Sequence, residues 1–531
     1  MSAARPTSPR LTLAGLVTAA MAFALMQTFL IPALPKLQDD LGTSGTWVTW
    51  TVTAYLLTGS VATPLIGRLG DQHGKAKLMV ISLAVFLVGS IAAIFAWNVG
   101  SLIVFRAIQG VGGAVFPLSF AIIRDEFPPE RQGQAMGLVS AVLGVGGGVG
   151  IVASGLIVDN LSWRWLFVVA AAVVAAALVL VWRFVPESSV RAPAKVDAWG
   201  AVLLSGALVA LLVGLTEGQA LGWGSPAIVG LFASSVALFV IWGWVELRVR
   251  EPMVDMRMLA RRTVLFTNLT AMLSGFALYM TWVILPTFYQ LPSDLPDALK
   301  DVADYGFGTS VTVAGLWMLP TSLSILFAGP FAGAVGARYG QRGPLVAGMV
   351  LVAIGSAGIA MFHAEPWQPA LWFILCGVGI GFAFAVMPKL IVDAVRPTET
   401  GIATGMNTVV RTVGGVVGAQ VGAVLLAASA GRGGIPTESG FTQAFWVGAA
   451  GAVVAAVAAW FVGPRRARRE PAPTAAAVLA TDRGRTPVGR RTSRWRGPAP
   501  GPADGGPAAG PRSTPRPQRS PRRRRRSRRP P

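Results

Sequence analysis

The chain is written twice. Ala62, Pro64, Gly67, Gly74, Gly89 and Ser90 recur without a gap 266 residues later as Ala328, Pro330, Gly333, Gly340, Gly355 and Ser356. Gly110 and Gly112 return as Gly377 and Gly379. Gly133, Gly137, Gly146, Gly147 and Gly150 return as Gly401, Gly405, Gly414, Gly415 and Gly418, so the register drifts by only two residues. Both copies are built from apolar runs of spanning length, since about 20 helical residues cover the roughly 30 Å of a bilayer's hydrocarbon. A repeated set of such helices predicts an all-α polytopic membrane protein, two six-helix bundles that rock against each other around a midplane site.

Fourteen spans are predicted: 11–34, 46–66, 78–97, 101–122, 134–158, 164–185, 198–216, 226–246, 264–286, 309–330, 344–362, 368–388, 402–428 and 442–463. Residues 1–10 form a cytoplasmic N-terminus, 11–185 the first bundle and 264–463 the second. The connection 186–263 carries two helices with no counterpart in the repeat. Residues 464–531 are rich in Arg and Pro and cannot bury enough apolar surface to fold. The formal net charge is +21. The tail holds 20 Arg and 3 acids, so it supplies +17 of that; the remaining +4 belongs to everything before it. Outside the tail, nineteen basic residues fall on one set of connections and four on the other. The positive-inside rule therefore puts both termini in the cytoplasm, with the plasma membrane as the expected location. Trp47, Trp97, Trp163, Trp165, Trp223 and Trp367 fall at the opposite helix ends, where amphipathic rings sit at the membrane interface.

Composition narrows the function. Only 13% of residues are charged, against about 25% in a soluble domain. The one cysteine, Cys376, excludes an intramolecular disulfide and a Cys-based zinc site. The glycine run 144–150 lies in an apolar span and lacks a phosphate-loop lysine, so it reads as helix packing. No metal cluster, nucleophile–base set or nucleotide motif is evident; an enzyme is not expected, and no cofactor is expected beyond a proton gradient as energy source. The clustered Arg of the tail suit an anionic lipid surface. With Trp495 as the tail's one aromatic and no folded module there, specific nucleic-acid recognition is not expected.

Two motifs bear on mechanism. Gly67-Arg68-Leu69-Gly70-Asp71-Gln72-His73-Gly74-Lys75 reads as a tight cytoplasmic turn whose acid can latch a neighbouring helix end. Arg106-Ala107-Ile108-Gln109-Gly110 puts a guanidinium inside an apolar span, where a charge faces a cavity or an internal partner. Arg106 can bond backbone carbonyls and Gln109, meet a carboxylate near a helix end, or await an anionic substrate. Asn407 and Arg411, one turn apart, raise the same question. Gln27, Thr28, Asn268, Tyr279, Trp282 and Gln290 are candidates for a substrate path and equally for packing; Gly146, Gly147, Gly150 and Gly155 form a helix-packing face. His73 and His363 read as solvated loop residues.

Together the two motifs resemble motifs A and B of the major facilitator superfamily. Ser162 to Phe167, Pro186-Glu187-Ser188, Glu246 to Leu259, Leu285-Pro286 with Gln290, and Gly405-Met406-Asn407 with Arg411 are similar to the fourteen-helix drug:proton antiporters. The resemblance covers about 11–463. It implies that the chain exports small lipophilic, cationic or drug-like molecules from the cytoplasm, driven by proton entry. Met26 stands where that family carries its membrane carboxylate, Gly150-Ile151 replaces the Gly-Pro of span 5, and Ala337 stands where the first repeat has Asp71. The alternative is a facilitator or importer of an anionic metabolite, without proton antiport.

Overall fold

The computed structural model describes residues 8–188, 190, 197–291, 305–430 and 435–463. The Arg-rich tail and most of the acidic connection before the tenth span lie outside them. Among the described residues the chain runs as fourteen long helices: α1 Pro9–Thr28, α2 Gly45–His73, α3 Lys75–Ile94, α4 Val99–Glu126, α5 Pro129–Asn160, α6 Arg164–Phe184, α7 Ala198–Leu221, α8 Pro226–Glu246, α9 Arg262–Gln290, α10 Val311–Tyr339, α11 Arg342–Met361, α12 Trp367–Ala394, α13 Thr400–Ala428 and α14 Glu438–Trp460. Thirteen are long and apolar enough to cross a membrane. The exception is α2, whose threonines, serine and glycines dilute its hydropathy although it has 29 residues. In hydrocarbon every backbone N–H and C=O must be satisfied within its own segment, which leaves helices as the available form.

The helices α1 to α6 share one core, with Leu16, Phe23, Phe86, Phe116 and Phe167 at its centre. The helices α9 to α14 build the second, around Ile325, Phe384, Phe288 and Phe441. Helix α8 packs on α7, and α7 leans on α2 and α13 from outside, leaving Val229, Val236, Val240 and Trp244 of α8 exposed as a lipid-facing surface. The halves meet where α2 lies on α13 and α5 lies on α10.

Several expectations change. The first span stops at Thr28 rather than at 34, and Leu34–Asp40 forms a separate short helix. Pro32 and Pro35 explain the break: each lacks the N–H a continuing helix needs, and each disfavours helical geometry in the residue before it. The motif expected as a turn at 67–75 is mostly helix, because α2 continues to His73 and the reversal falls on Gly74 alone, at φ 116°. Within α4 the regular helix gives way to a 3-10 turn at Val111–Ala114. There Gly110 presses on the Tyr55 carbonyl and Gly113 on Gly59 and Thr63, so α4 can lie close against α2. Trp163 is fully buried rather than interfacial, with the Arg164 guanidinium 4.3 Å from its ring. His363 is not a free loop residue: its Nε2 lies 2.9 Å from Glu438 and its Nδ1 2.9 Å from the Ile359 carbonyl.

Candidate functional site

A cavity lies between the two bundles. The first half lines it with Phe23, Gln27, Ser60, Thr63 and Phe116, and the second with Tyr279, Trp282, Phe384, Thr408 and Arg411. Its volume is about 60 Å³. That admits a few waters but is far below the roughly 300–1,000 Å³ of pockets that hold drug-sized ligands. A solute of that size therefore needs the halves to move apart. The side-chain amide of Gln27 crosses the cavity to donate to the Tyr279 hydroxyl at 3.0 Å, a contact between halves that such a movement would break.

At the basic end the halves are pressed shut. A side-chain carbon added to Gly67 would sit 2.6 Å from the Gly401 carbonyl oxygen, and one added to Gly133 would sit 2.9 Å from that of Gly333. Gly333 is the repeat of Gly67 and Gly401 the repeat of Gly133, so these are one contact made twice. The same holds one turn deeper, where Gly137 meets Gly329 and its repeat Gly405 meets Thr63. The duplication seen in the sequence is thus a pseudo-twofold gate in space.

Side chains fasten that gate unequally. Asp71 is 1% exposed, and its two oxygens accept the Gly401 and Ile402 N–H groups at 3.1 Å each. Those N–H groups belong to the first turn of α13, where a helix favours an anion. On the other side Ala337 offers no equivalent, and Arg124 adds to the hold on the start of α13. The Arg124 guanidinium donates to the Thr400 hydroxyl at 2.7 Å and to the Val395 and Arg396 carbonyls at 3.0 and 3.2 Å. Lys389 bonds Asp393 at 2.5 Å and Gln132 at 3.0 Å. The remaining motif residues serve the first bundle and its linker. Arg68 donates to the Pro252 carbonyl at 3.1 Å, and Lys75 pairs with Asp125 at 2.5 Å. A side-chain carbon on Gly74 would meet the Glu187 carboxylate at 2.8 Å. That carboxylate in turn accepts the Lys77 N–H at the start of α3.

Arg106, Gln109 and Gly110 do not line the cavity. Arg106 is enclosed within the first bundle, where it donates to the Thr51 carbonyl at 3.0 Å, the Met26 carbonyl at 3.2 Å and Gln109 Oε1 at 2.7 Å. The Tyr55 ring covers its face at 4.1 Å. Gln109 passes the chain on to Ser90. Every side of this cation is occupied by a neutral group, with Met26 standing against it. Of the second-half pair, Arg411 lines the cavity, whereas Asn407 bonds Asn268 at 2.9 Å outside it.

Of the path candidates, Gln27, Thr28, Tyr279 and Trp282 line the cavity. Asn268 does not, and Gln290 bonds the Pro286 carbonyl at the far end of α9. Gly146 and Gly150 receive α1, with the Thr28 hydroxyl donating to the Gly146 carbonyl at 2.9 Å. Gly147 accommodates the Trp282 ring, and Gly155 faces Thr312 at ordinary contact distance. The sequence reading missed Ser60, Thr63, Thr408 and Thr412, whose signal was a small-polar stripe at helical spacing in α2 and α13. Arg124, Gln132 and Lys389, which join the two halves at the basic end, are not among the residues singled out from the sequence.

Similarity to known proteins agrees with this architecture. The sequence profile described as Major Facilitator Superfamily matches residues 16–259 and 267–524. Multidrug resistance protein 3 of Bacillus subtilis (strain 168) is 27% identical over 406 residues, 75% of this chain and 76% of that protein. The tetracenomycin C resistance and export protein of Streptomyces glaucescens is 31% identical over 396 residues, 74% of this chain and 71% of its own. The crystal structure of the human organic anion transporter MFSD10 superposes with a TM-score of 0.59 at 16% identity, covering 85% of this chain and 100% of that one. At that identity it speaks for the fold alone.

Proposed function

This chain belongs to the Major Facilitator Superfamily, and from that premise we propose that it is a secondary transporter that exports small, drug-like molecules through the cavity between its halves. One observation carries the reading: a cavity contributed by both repeats, walled by five aromatic rings, lies behind a gate that both repeats close. Rocking the halves about that cavity would expose it to each side in turn. Relatives named for multidrug resistance and for tetracenomycin C export support efflux of lipophilic compounds. In this reading the basic end faces the cytoplasm, both termini lie there, and the protein resides in the cell's plasma membrane with a proton gradient as its energy source.

Expression in cells stripped of efflux pumps, challenged with a panel of aromatic antibiotics, tests the export. Purified protein in vesicles, with and without an imposed pH gradient, tests the coupling. Resistance together with gradient-driven flux supports the proposal; wild-type sensitivity and no flux of any panel compound would end it. Met26 and a cavity lining without a carboxylate favour a second reading, transport without proton antiport. Counterflow that persists when the pH gradient is collapsed selects that reading.

A further inference from the structure

The two intramembrane arginines live in opposite circumstances. Arg106 has its donors taken by Thr51, Met26 and Gln109. Arg411 is nearly as buried, at 7% exposure, yet among the described residues its guanidinium has no hydrogen bond and no ion pair. The Phe384 ring lies 4.5 Å from the guanidinium carbon, and the Tyr279 side chain is within electrostatic reach of it. A ring covers the face of the guanidinium and leaves the N–H edge unfilled. That residue lines the cavity, and no acidic side chain does, from any helix around it.

A guanidinium stays charged, and withdrawing it from water is costly unless something returns the lost solvation. The remaining cavity groups are hydroxyls, the Gln27 amide and aromatic rings, which leave the positive field uncompensated. We infer that Arg411 is the anion-binding subsite of the transport cavity, and that the favoured solutes are flat aromatic monoanions bearing a carboxylate, sulfonate or acidic phenol. The planar N–H fork matches such a group in bidentate fashion. The rings of Phe23, Phe116, Tyr279 and Trp282 take the apolar body. The inference rests on the cavity being the solute path, and it separates this chain from carriers of lipophilic cations, for which an unopposed arginine is a repulsive element.

The test uses the purified full chain in detergent and two probes sharing one ring system, 2-naphthoate and 2-naphthyl-trimethylammonium, measured by equilibrium dialysis. Wild type binds the anion more tightly than the cation by about tenfold or more. Arg411→Gln abolishes the preference, and Arg411→Lys keeps part of it, because an ammonium retains the charge without the fork. In a Cys376→Ser, Thr408→Cys protein, naphthoate slows maleimide labelling of the cavity cysteine and the cation does not. Equal or tighter binding of the cation by wild type overturns the inference. So does a full anion preference in Arg411→Gln, or anion binding that fails to protect position 408. Should Arg411→Gln aggregate, the wild-type comparison and the protection assay decide alone. Flux measurements keep the two readings apart: anion preference without any transport sinks the export proposal and leaves this site, whereas export with cation preference does the reverse.

Discussion

Asp71→Asn changes one atom at the place where the gate depends on charge. The native carboxylate receives two backbone N–H groups at 3.1 Å each, in a site 1% exposed, on the first turn of α13. Hydrogen bonds to a charged group contribute about 1.5–3 kcal/mol each, and a partly buried anion at a helix N-terminus contributes up to about 2 kcal/mol. Asparagine keeps one neutral acceptor and turns an NH2 toward the other N–H, so one bond weakens and one is lost. A net loss of about 2–3 kcal/mol from the closed gate follows, or about 30- to 150-fold in the closed-to-open ratio. Because Arg124, Lys389 and the glycine contacts remain, the protein still folds and inserts. The assay places one cysteine at Thr408 in a Cys376→Ser background and adds an impermeant maleimide from the basic side of sealed vesicles. Labelling in Asp71→Asn rises by at least about tenfold over the parent. An unchanged labelling rate in correctly inserted protein refutes the reasoning, since it would show that charge at Asp71 does not hold the gate.

Gly74→Ala should destabilise the first bundle by about 1–3 kcal/mol, because alanine is strained at φ 116° and its methyl meets the Glu187 carboxylate; a fall in melting temperature in detergent checks it. Arg106→Ala strips donors from the Met26 and Thr51 carbonyls and Gln109 and empties the space beneath Tyr55. It should cost about 3 kcal/mol or more in stability while leaving the charge preference of bound probes as in wild type, which separates its role from that of Arg411. Removing residues 466–531 should leave vesicle transport near the full-length rate, because the sequence predicts no span in that segment; loss of flux from correctly inserted, truncated protein would contradict this.

The helices and their pairing into two halves were legible because hydrocarbon enforces both: long apolar runs have one available backbone form, and the repeated glycines mark positions where backbones touch. The end of α1 was not, since the apolar run continues to 34 while Pro32 and Pro35 stop the helix first. That Asp71 would meet a neighbouring helix end was readable from its setting among basic residues. Its donors were not, because Gly401 and Ile402 lie 330 and 331 residues away and contribute only backbone N–H groups. The two arginines read alike in the sequence. What distinguishes them is whether carbonyls of neighbouring helices come within reach, and a carbonyl has no letter in the sequence.

The paired glycines of the gate have a genetic consequence. Where a closure depends on side chains, a substitution can trim it, enlarge it or be offset by a change in the partner. Here both members of the Gly67–Gly401, Gly133–Gly333 and Gly137–Gly329 pairs are already the smallest residue, and an added carbon on any of them runs into the opposite backbone. Every amino acid reachable from a glycine codon by one base change is larger, so mutation at these sites moves in one direction only. No second substitution in the partner glycine can make room again. Of these six codons, at each of which any amino-acid change wedges the seam, four belong to the contact that duplication made twice, with reversion as the direct way back.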